Sequence, residues 1–332
     1  MLKWYKIVLE NGESPLYSII FSLEGIDFMN NTGSAAQGKE SSLLFNYSLA
    51  AFVIIVWSIT FVSTKTLLRS LTPVEILFVR VLIATVIFYA AKPSLLKFGT
   101  LREEASYAAA GLLGTTIYFL GENFALDFGT ASNVALLVST APMLTGVAAH
   151  FLTKNEQLTS RFVLGGLCCL LGVAMIVFNG HFILKLNPLG DLLAIIAALS
   201  FALYSVLVRN ISGRVDMAKL TGKSFFYALI SLLPFCFTPL ISWRPEDYLK
   251  PEVIANLVFL GAIASAGCYL AWNLVIKRFG AVHANNLIYL TPPLVMLNAS
   301  FLLHERITIY AALGAALILA GVYISQTKAA NS

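Results

Sequence analysis

The sequence predicts an all-α membrane protein whose ten spanning helices form two inverted five-helix repeats. Three observations predict it. Of the 332 residues, 58% are hydrophobic and only 12% charged, with a mean hydropathy of +0.81; soluble domains carry about 25% charged residues. Apolar stretches long enough to cross a hydrocarbon core about 30 Å thick, roughly 20 residues each, recur ten times along the chain. Finally, the spacing of Tyr, Gly, Pro and Glu in residues 44–180 returns in residues 187–326.

Residues 1–43 read as an N-terminal cytoplasmic extension. Glu10, Glu13, Glu24 and Asp27 interrupt every apolar run there, which excludes a signal-peptide core and an eleventh span. From Met29 the text turns polar, and Met29 is expected to be the initiator, with residues 1–28 an upstream extension outside the native protein. The spans follow near 44–64, 73–91, 105–126, 131–152, 160–179, 188–208, 224–243, 253–276, 282–303 and 308–326, and a short tail occupies 327–332. Lipid offers backbone groups no partners and no strand-like alternation is present, so each span is expected to be helical.

Orientation follows from the basic residues of the connections. One set of alternate connections, with the tail, holds twelve Lys and Arg, among them Lys92, Arg102, Lys154, Arg209, Lys219 and Lys277. The other set holds six: Lys65, Arg69, Lys185, Arg244, Lys250 and Arg306. Both termini are therefore expected in the cytoplasm, and the chain in the inner (plasma) membrane.

The net charge of +5 comes from these scattered loop residues, not from a basic face with interleaved aromatics, so no nucleic-acid partner is expected. Cys168, Cys169, Cys236 and Cys268 lie inside apolar segments without ligand spacing, so no disulfide framework, metal site or cofactor is expected either.

The repeats align residue by residue. Tyr118–Gly129 matches Tyr269–Gly280; Pro142 matches Pro292; Glu156-Gln-Leu-Thr159 matches Glu305-Arg-Ile-Thr308; Gly165 and Gly172 match Gly314 and Gly321. The segment from Trp57 to Lys65 matches that from Phe201 to Arg209. Five is odd, so the second half would enter the membrane inverted, an architecture that alternating-access carriers use.

These motifs, with Thr72-Pro73 ahead of Arg80 and the closing Gly314–Tyr323 segment, resemble the drug/metabolite transporter superfamily, specifically the bacterial family built from two EamA domains. The resemblance covers roughly residues 44–326. It implies the export of amino acids or other small metabolites through a central cavity lined by helices 1, 3, 4, 6, 8 and 9, with helices 5 and 10 outside it. It carries no substrate identity.

A charged side chain in mid-membrane costs at least about 2.5–3.5 kcal/mol, so each one calls for a reason. Gly111, Thr115, Tyr118 and Glu122 share one face of the third helix, and Ala262, Ser265, Tyr269 and Asn273 repeat it in the eighth. Glu122 and Asn273 are thus equivalent, and only the first half carries a titratable group. Glu122 reads two ways: a proton-coupling carboxylate, or grip for a substrate ammonium, against a structural ion pair with Arg80. From the span ends the two differ in depth by about 4–5 Å, within an arginine's reach. Lys65 and Arg209 can snorkel to the headgroups, with a substrate-carboxylate role left open for Lys65. Asn285 and Tyr289 share a face of the ninth helix just before Pro292, and Pro142 breaks the fourth in the same way, so both prolines are candidate kinks and gates. Trp57, Tyr204 and Trp272 are aromatic candidates for the cavity wall. The paired glycines are expected to let helices pack closely, and Glu156 and Glu305 to be structural.

Thr221-Gly-Lys-Ser224 has the tail of a phosphate-binding loop but Met217 in place of the first glycine, and no strand precedes it. No catalytic constellation is legible, so an enzyme is not expected. The function expected is a secondary transporter for a small metabolite such as an amino acid, by alternating access with proton coupling. A sugar-phosphate or nucleotide-sugar exchanger and a non-transporting receptor or scaffold are the alternatives. The partners are a small-molecule substrate and the lipid bilayer; oligomeric state is not legible.

Overall fold

A computed structural model describes residues 35–128, 131–153, 156, 158–178, 187–303 and 308–326, with some side chains inside those ranges left undescribed. The expectations for residues 1–28, for Glu305 and for the tail lie outside the described residues.

Every described element is helical. In order they are α1 (Ala35–Leu67), α2 (Pro73–Ala91), α3 (Leu101–Gly111), a π-helical segment (Leu112–Ile117), α4 (Tyr118–Phe128), α5 (Ala131–Val138), α6 (Ala141–Leu152), α7 (Ser160–Phe178) and α8 (Pro188–Ile211). Then come α9 (Met217–Leu232), the short α10 (Pro245–Tyr248), α11 (Pro251–Val258), a second π-helical segment (Phe259–Gly267), α12 (Cys268–Phe279), α13 (Ala281–Asn286), a 3-10 turn (Leu287–Leu290), α14 (Thr291–Leu303) and α15 (Ile309–Gln326). Eight described stretches are long and apolar enough to cross a membrane: 43–60, 73–91, 134–152, 160–178, 188–211, 217–237, 251–279 and 309–326. The other two expected spans, the third and the ninth, are helical but divided into shorter pieces by the first π segment and the 3-10 turn.

Local sequence explains the starts. Thr72 caps α2 in a capping box with Glu75, and Pro73 occupies the first turn, where its missing N–H costs nothing. Asn187 accepts from the Gly190 N–H ahead of α8, and Asp216 from the Lys219 N–H ahead of α9.

The chain forms two compact units that do not follow the sequence halves. The first comprises the described residues of 1–53, 63–111 and 214–275; the second comprises those of 54–62, 112–213 and 276–332. In the first, α9 packs on α2 and α3, and the second π segment packs on α2. Small residues make the contact: a Cβ on Gly111 would lie 2.2 Å from the Ser224 carbonyl, and one on Gly261 2.6 Å from Ile83. Gly111 therefore faces α9.

In the second unit α8 packs against α4, α5 and α6, and α7 crosses α15. The glycines expected to be packing glue are that: a Cβ on Gly172 would come within 2.5 Å of the Gly314 carbonyl, and one on Gly165 within 2.5 Å of the Gly321 carbonyl. Cys169, fully buried between them, donates its thiol to the Ile318 carbonyl at 3.6 Å.

Candidate functional site

The first π segment ends directly before the repeat tyrosine Tyr118, and the second ends at Gly267, one residue short of its mate Tyr269. A π turn has one residue too many for the 3.6-residue ladder, which loosens the i→i−4 bonding and frees carbonyls for other donors. The freed Leu113 carbonyl accepts the Ser200 hydroxyl of α8 at 2.7 Å. Gly114 packs onto the Tyr204 ring so closely that a Cβ would lie 2.5 Å from it. In the other unit Ser265, inside the second π segment, accepts from Arg80 Nε at 3.0 Å.

Around the first π segment the second unit gathers an aromatic cluster. Phe201 meets Trp57 edge-on at 6.4 Å, Tyr118 at 5.2 Å and Tyr204 at 5.8 Å between ring centroids. Tyr118 directs its hydroxyl at Glu122 Oε1, 3.4 Å away and one turn along α4, as the shared face predicts. Glu122 and Tyr118 are half-buried, Tyr204 fully buried. Trp57, Tyr118, Glu122 and Tyr204 are thus brought together. The residue that joins them, Phe201, was legible only as the repeat mate of Trp57; its three-residue spacing to Tyr204 on α8 carried no such signal.

The equivalent residues of the second half sit in the first unit and are more deeply packed. Tyr269 meets Phe225 edge-on at 5.3 Å, Trp272 is fully buried, and Asn273 donates to Thr221 Oγ1 at 2.9 Å. Arg80 belongs to this unit, Glu122 to the other. The backbone of Lys65 lies in α1; its side chain is outside the described residues.

The ninth span carries a third group. Asn285, Asn286 and Tyr289 are each at most 1% exposed, and Asn285 Oδ1, Asn286 Oδ1, the Tyr289 hydroxyl and the Thr291 hydroxyl have no protein hydrogen-bond partner among the described residues. The expected face shifts here. Because Leu287–Leu290 is a 3-10 turn, residues three apart eclipse, so Tyr289 aligns with Asn286, which donates to Ser325 of α15. Asn285 instead donates to the Ala281 carbonyl of its own helix at 2.9 Å. The helix breaks lie where the prolines place them: α6 restarts at Ala141-Pro142 after a turn at Ser139–Thr140, and α14 at Thr291-Pro292.

The phosphate-loop look-alike lies inside α9. Gly222 is pressed against Leu95 and Phe88, and Lys223 is ion-paired to Glu104 at 2.7 Å. Among the described residues no three His, Cys, Asp or Glu side chains stand together as metal ligands would.

The model of the EamA-like transporter family matches twice, over residues 44–178 and 188–327. The chain belongs to that family. It is a multi-pass membrane transporter rather than an enzyme. An uncharacterized transporter of Archaeoglobus fulgidus is 27% identical over 290 residues, covering 84% of this chain and 96% of that one. A probable amino-acid metabolite efflux pump of Escherichia coli K12 is 26% identical over 291 residues, covering 83% of this chain and 93% of its own length. One crystal structure shares the fold, with TM-score 0.71 at 20% identity over 85% of this chain and 96% of that one. As a family member, the chain builds each compact unit from pieces of both EamA domains.

Proposed function

We propose that this protein is an inner-membrane secondary transporter that exports a small amphiphilic metabolite such as an amino acid, by alternating access of ten helices arranged as two inverted halves. The observation that carries the reading is Glu122 beside the Trp57–Tyr118–Phe201–Tyr204 cluster. A carboxylate bordered by aromatic faces fits a primary ammonium, which takes charge from one and the ring quadrupoles from the others. The name of the Escherichia coli relative, a probable amino-acid metabolite efflux pump, supports the same substrate class.

Glu122 is then the group that exchanges a proton for substrate: it releases its proton as the ammonium arrives and takes one up after release. Asn285 and Tyr289 of the same unit extend the proposed site, and the buried acceptors on the ninth span suit substrate N–H groups. The breaks before Pro142 and Pro292, with the π segments before Tyr118 and Tyr269, supply backbone that bends without losing a whole ladder of hydrogen bonds. Both termini are assigned to the cytoplasm by the charge bias. A sugar-phosphate exchanger would need several basic side chains in the cavity; Arg80 is bound to Ser265 and Lys223 to Glu104.

The test is flux of a radiolabelled amino-acid pool in proteoliposomes, with and without an imposed pH gradient. The expected result is gradient-dependent flux in the wild type, with gradient dependence lost in a folded Glu122→Gln variant. Flux indifferent to the gradient would return Glu122 to a structural role, and no flux of any amino acid would overturn the substrate class.

A further inference from the structure

Two repeated motifs, Glu-x-x-Thr and the Tyr that precedes Gly by eleven residues, meet in the second unit. Glu156 of the first half lies in the connection between α6 and α7, and its carboxylate reaches the chain just after Gly280 of the second half. Its Oε1 accepts the Ala281 N–H at 3.0 Å, and its Oε2 the Val282 N–H at 2.7 Å. These donors open α13 and have no intrahelical acceptor, so the carboxylate supplies what the local sequence lacks. Arg209, at the end of α8, pairs with the same Oε1 at 3.1 Å and gives a second N–H to the Lys277 carbonyl at the end of α12, also at 3.1 Å.

Gly280 is required twice over. Its φ of 87° is a left-handed value that side chains resist, and a Cβ there would lie 2.6 Å from Glu156 Oε1. One carboxylate therefore fastens the connection after α6, the end of α8, the end of α12 and the start of α13. The basic-residue pattern places all of these connections on the cytoplasmic side. Among the described residues the fastening is one charged pair and three N–H bonds at a partly wetted site: Glu156 keeps 12% and Arg209 33% of their side-chain surface exposed. Water can replace each contact one at a time, unlike the interlocked glycines of α7 and α15.

We propose that Glu156, with Arg209 and Gly280, is a releasable clamp that holds this end of the second unit shut, and that Glu156 is a positioning residue whose release opens the α12–α13 corner during transport. The proposal rests on the carrier reading for its place in the cycle, but not for its local test.

That test is the alkylation rate of Val282→Cys in the full-length protein, read by peptide mass spectrometry, with native Cys169 as internal reference. Cys169 is fully buried in the same unit and reports unfolding of the unit as a whole. The expected result is a tenfold or greater rise in labelling at 282 on Glu156→Gln, a smaller rise on Arg209→Gln, and no change at Cys169. Equal labelling at 282 with and without Glu156→Gln overturns the clamp. A parallel rise at 282 and Cys169 in both variants also overturns it, because the carboxylate would then only hold the fold together. If the wild type moves no amino acid in liposomes, the carrier reading fails by that measurement, and the labelling contrast still judges the clamp.

Discussion

Glu104 shows what a single charge requires in so apolar a chain. Its Oε1 accepts from the Gly99 N–H and from Lys223, each at 2.7 Å, and its Oε2 from the Tyr227 hydroxyl at 2.8 Å. Lys223, 1% exposed, also donates to the Lys97 carbonyl at 3.1 Å and stands 4.6 Å over the Phe98 ring. Burial works to raise the Glu104 carboxyl, but the Gly99 N–H, Lys223 and Tyr227 together hold it below the ordinary carboxylate range. A folded-state value below the unfolded one stabilises the protein above the unfolded pKa of about 4.5 and loses that contribution as pH falls through the folded value. Glu104→Gln would strand the Lys223 ammonium, and removing one partner of a buried pair costs about 3–5 kcal/mol. The variant is therefore expected to melt well below the wild type at pH 7, with the gap narrowing below about pH 4.5. Melting of both in detergent across that range checks it; a constant gap would refute the assignment. None of this was legible beforehand, because Lys223 and Glu104 are 119 positions apart and Lys223 falls just ahead of the expected seventh span.

At the scale of elements, repeat spacing proved the most informative feature of the sequence. The glycine pairs predicted the α7–α15 crossing, where each glycine's missing side chain leaves room for a facing carbonyl. Gly172→Ala is expected to force the two helices apart and destabilise by about 1–3 kcal/mol. The same change at Gly213, where nothing lies within 4 Å of the added carbon, is expected to be neutral or nearly so. Chemical denaturation of the two variants in the same micelles compares them directly. The prolines likewise predicted both helix breaks. The π segments escaped, since no residue type is specific to a π turn. In hindsight the runs of small residues, Gly114-Thr-Thr116 and Ala262 to Gly267, mark where the backbone had freedom to widen. Missing them misplaced Gly111, which was expected on the face of Tyr118 and instead packs on α9. The 3-10 turn before Thr291 had the same effect on Tyr289.

For the whole molecule, the interleaving of the two halves has a consequence for folding. α3, from the first half, is packed by α9 from the second, and α2 by the second π segment. Without those partners Gly111 and Gly261 would leave grooves lined by unmatched apolar surface, and Glu104 would lack Lys223. Residues 1–180 expressed alone are therefore expected to give no protease-resistant product, whereas co-expression with residues 181–332 restores one. A trypsin time course on purified membranes distinguishes the cases, and a resistant first half alone would contradict the interleaving. Flux measurements belong to this scale as well, since the proposed alternating access requires the assembled chain.

The sequence by itself determined the class of protein, because hydropathy is additive along the chain and the bilayer fixes the length of a span. It determined the two-fold repetition and the family for the same reason: both are patterns of order and spacing. It also determined that Tyr118 and Glu122 share a face and that the chain breaks before Pro142 and Pro292, since one helical turn and one missing N–H are local. The tertiary structure alone decided which distant residues meet. Phe201 joining Trp57 and Tyr118, Lys223 neutralising Glu104, and Glu156 holding the backbone after Gly280 are each contacts between residues more than about 80 positions apart in sequence. Such contacts are set by how helices pack, not by what any one helix contains. A π turn or a 3-10 turn then shifts the facing residues by a fraction of a turn, enough to send Gly111 to α9 and to align Tyr289 with Asn286.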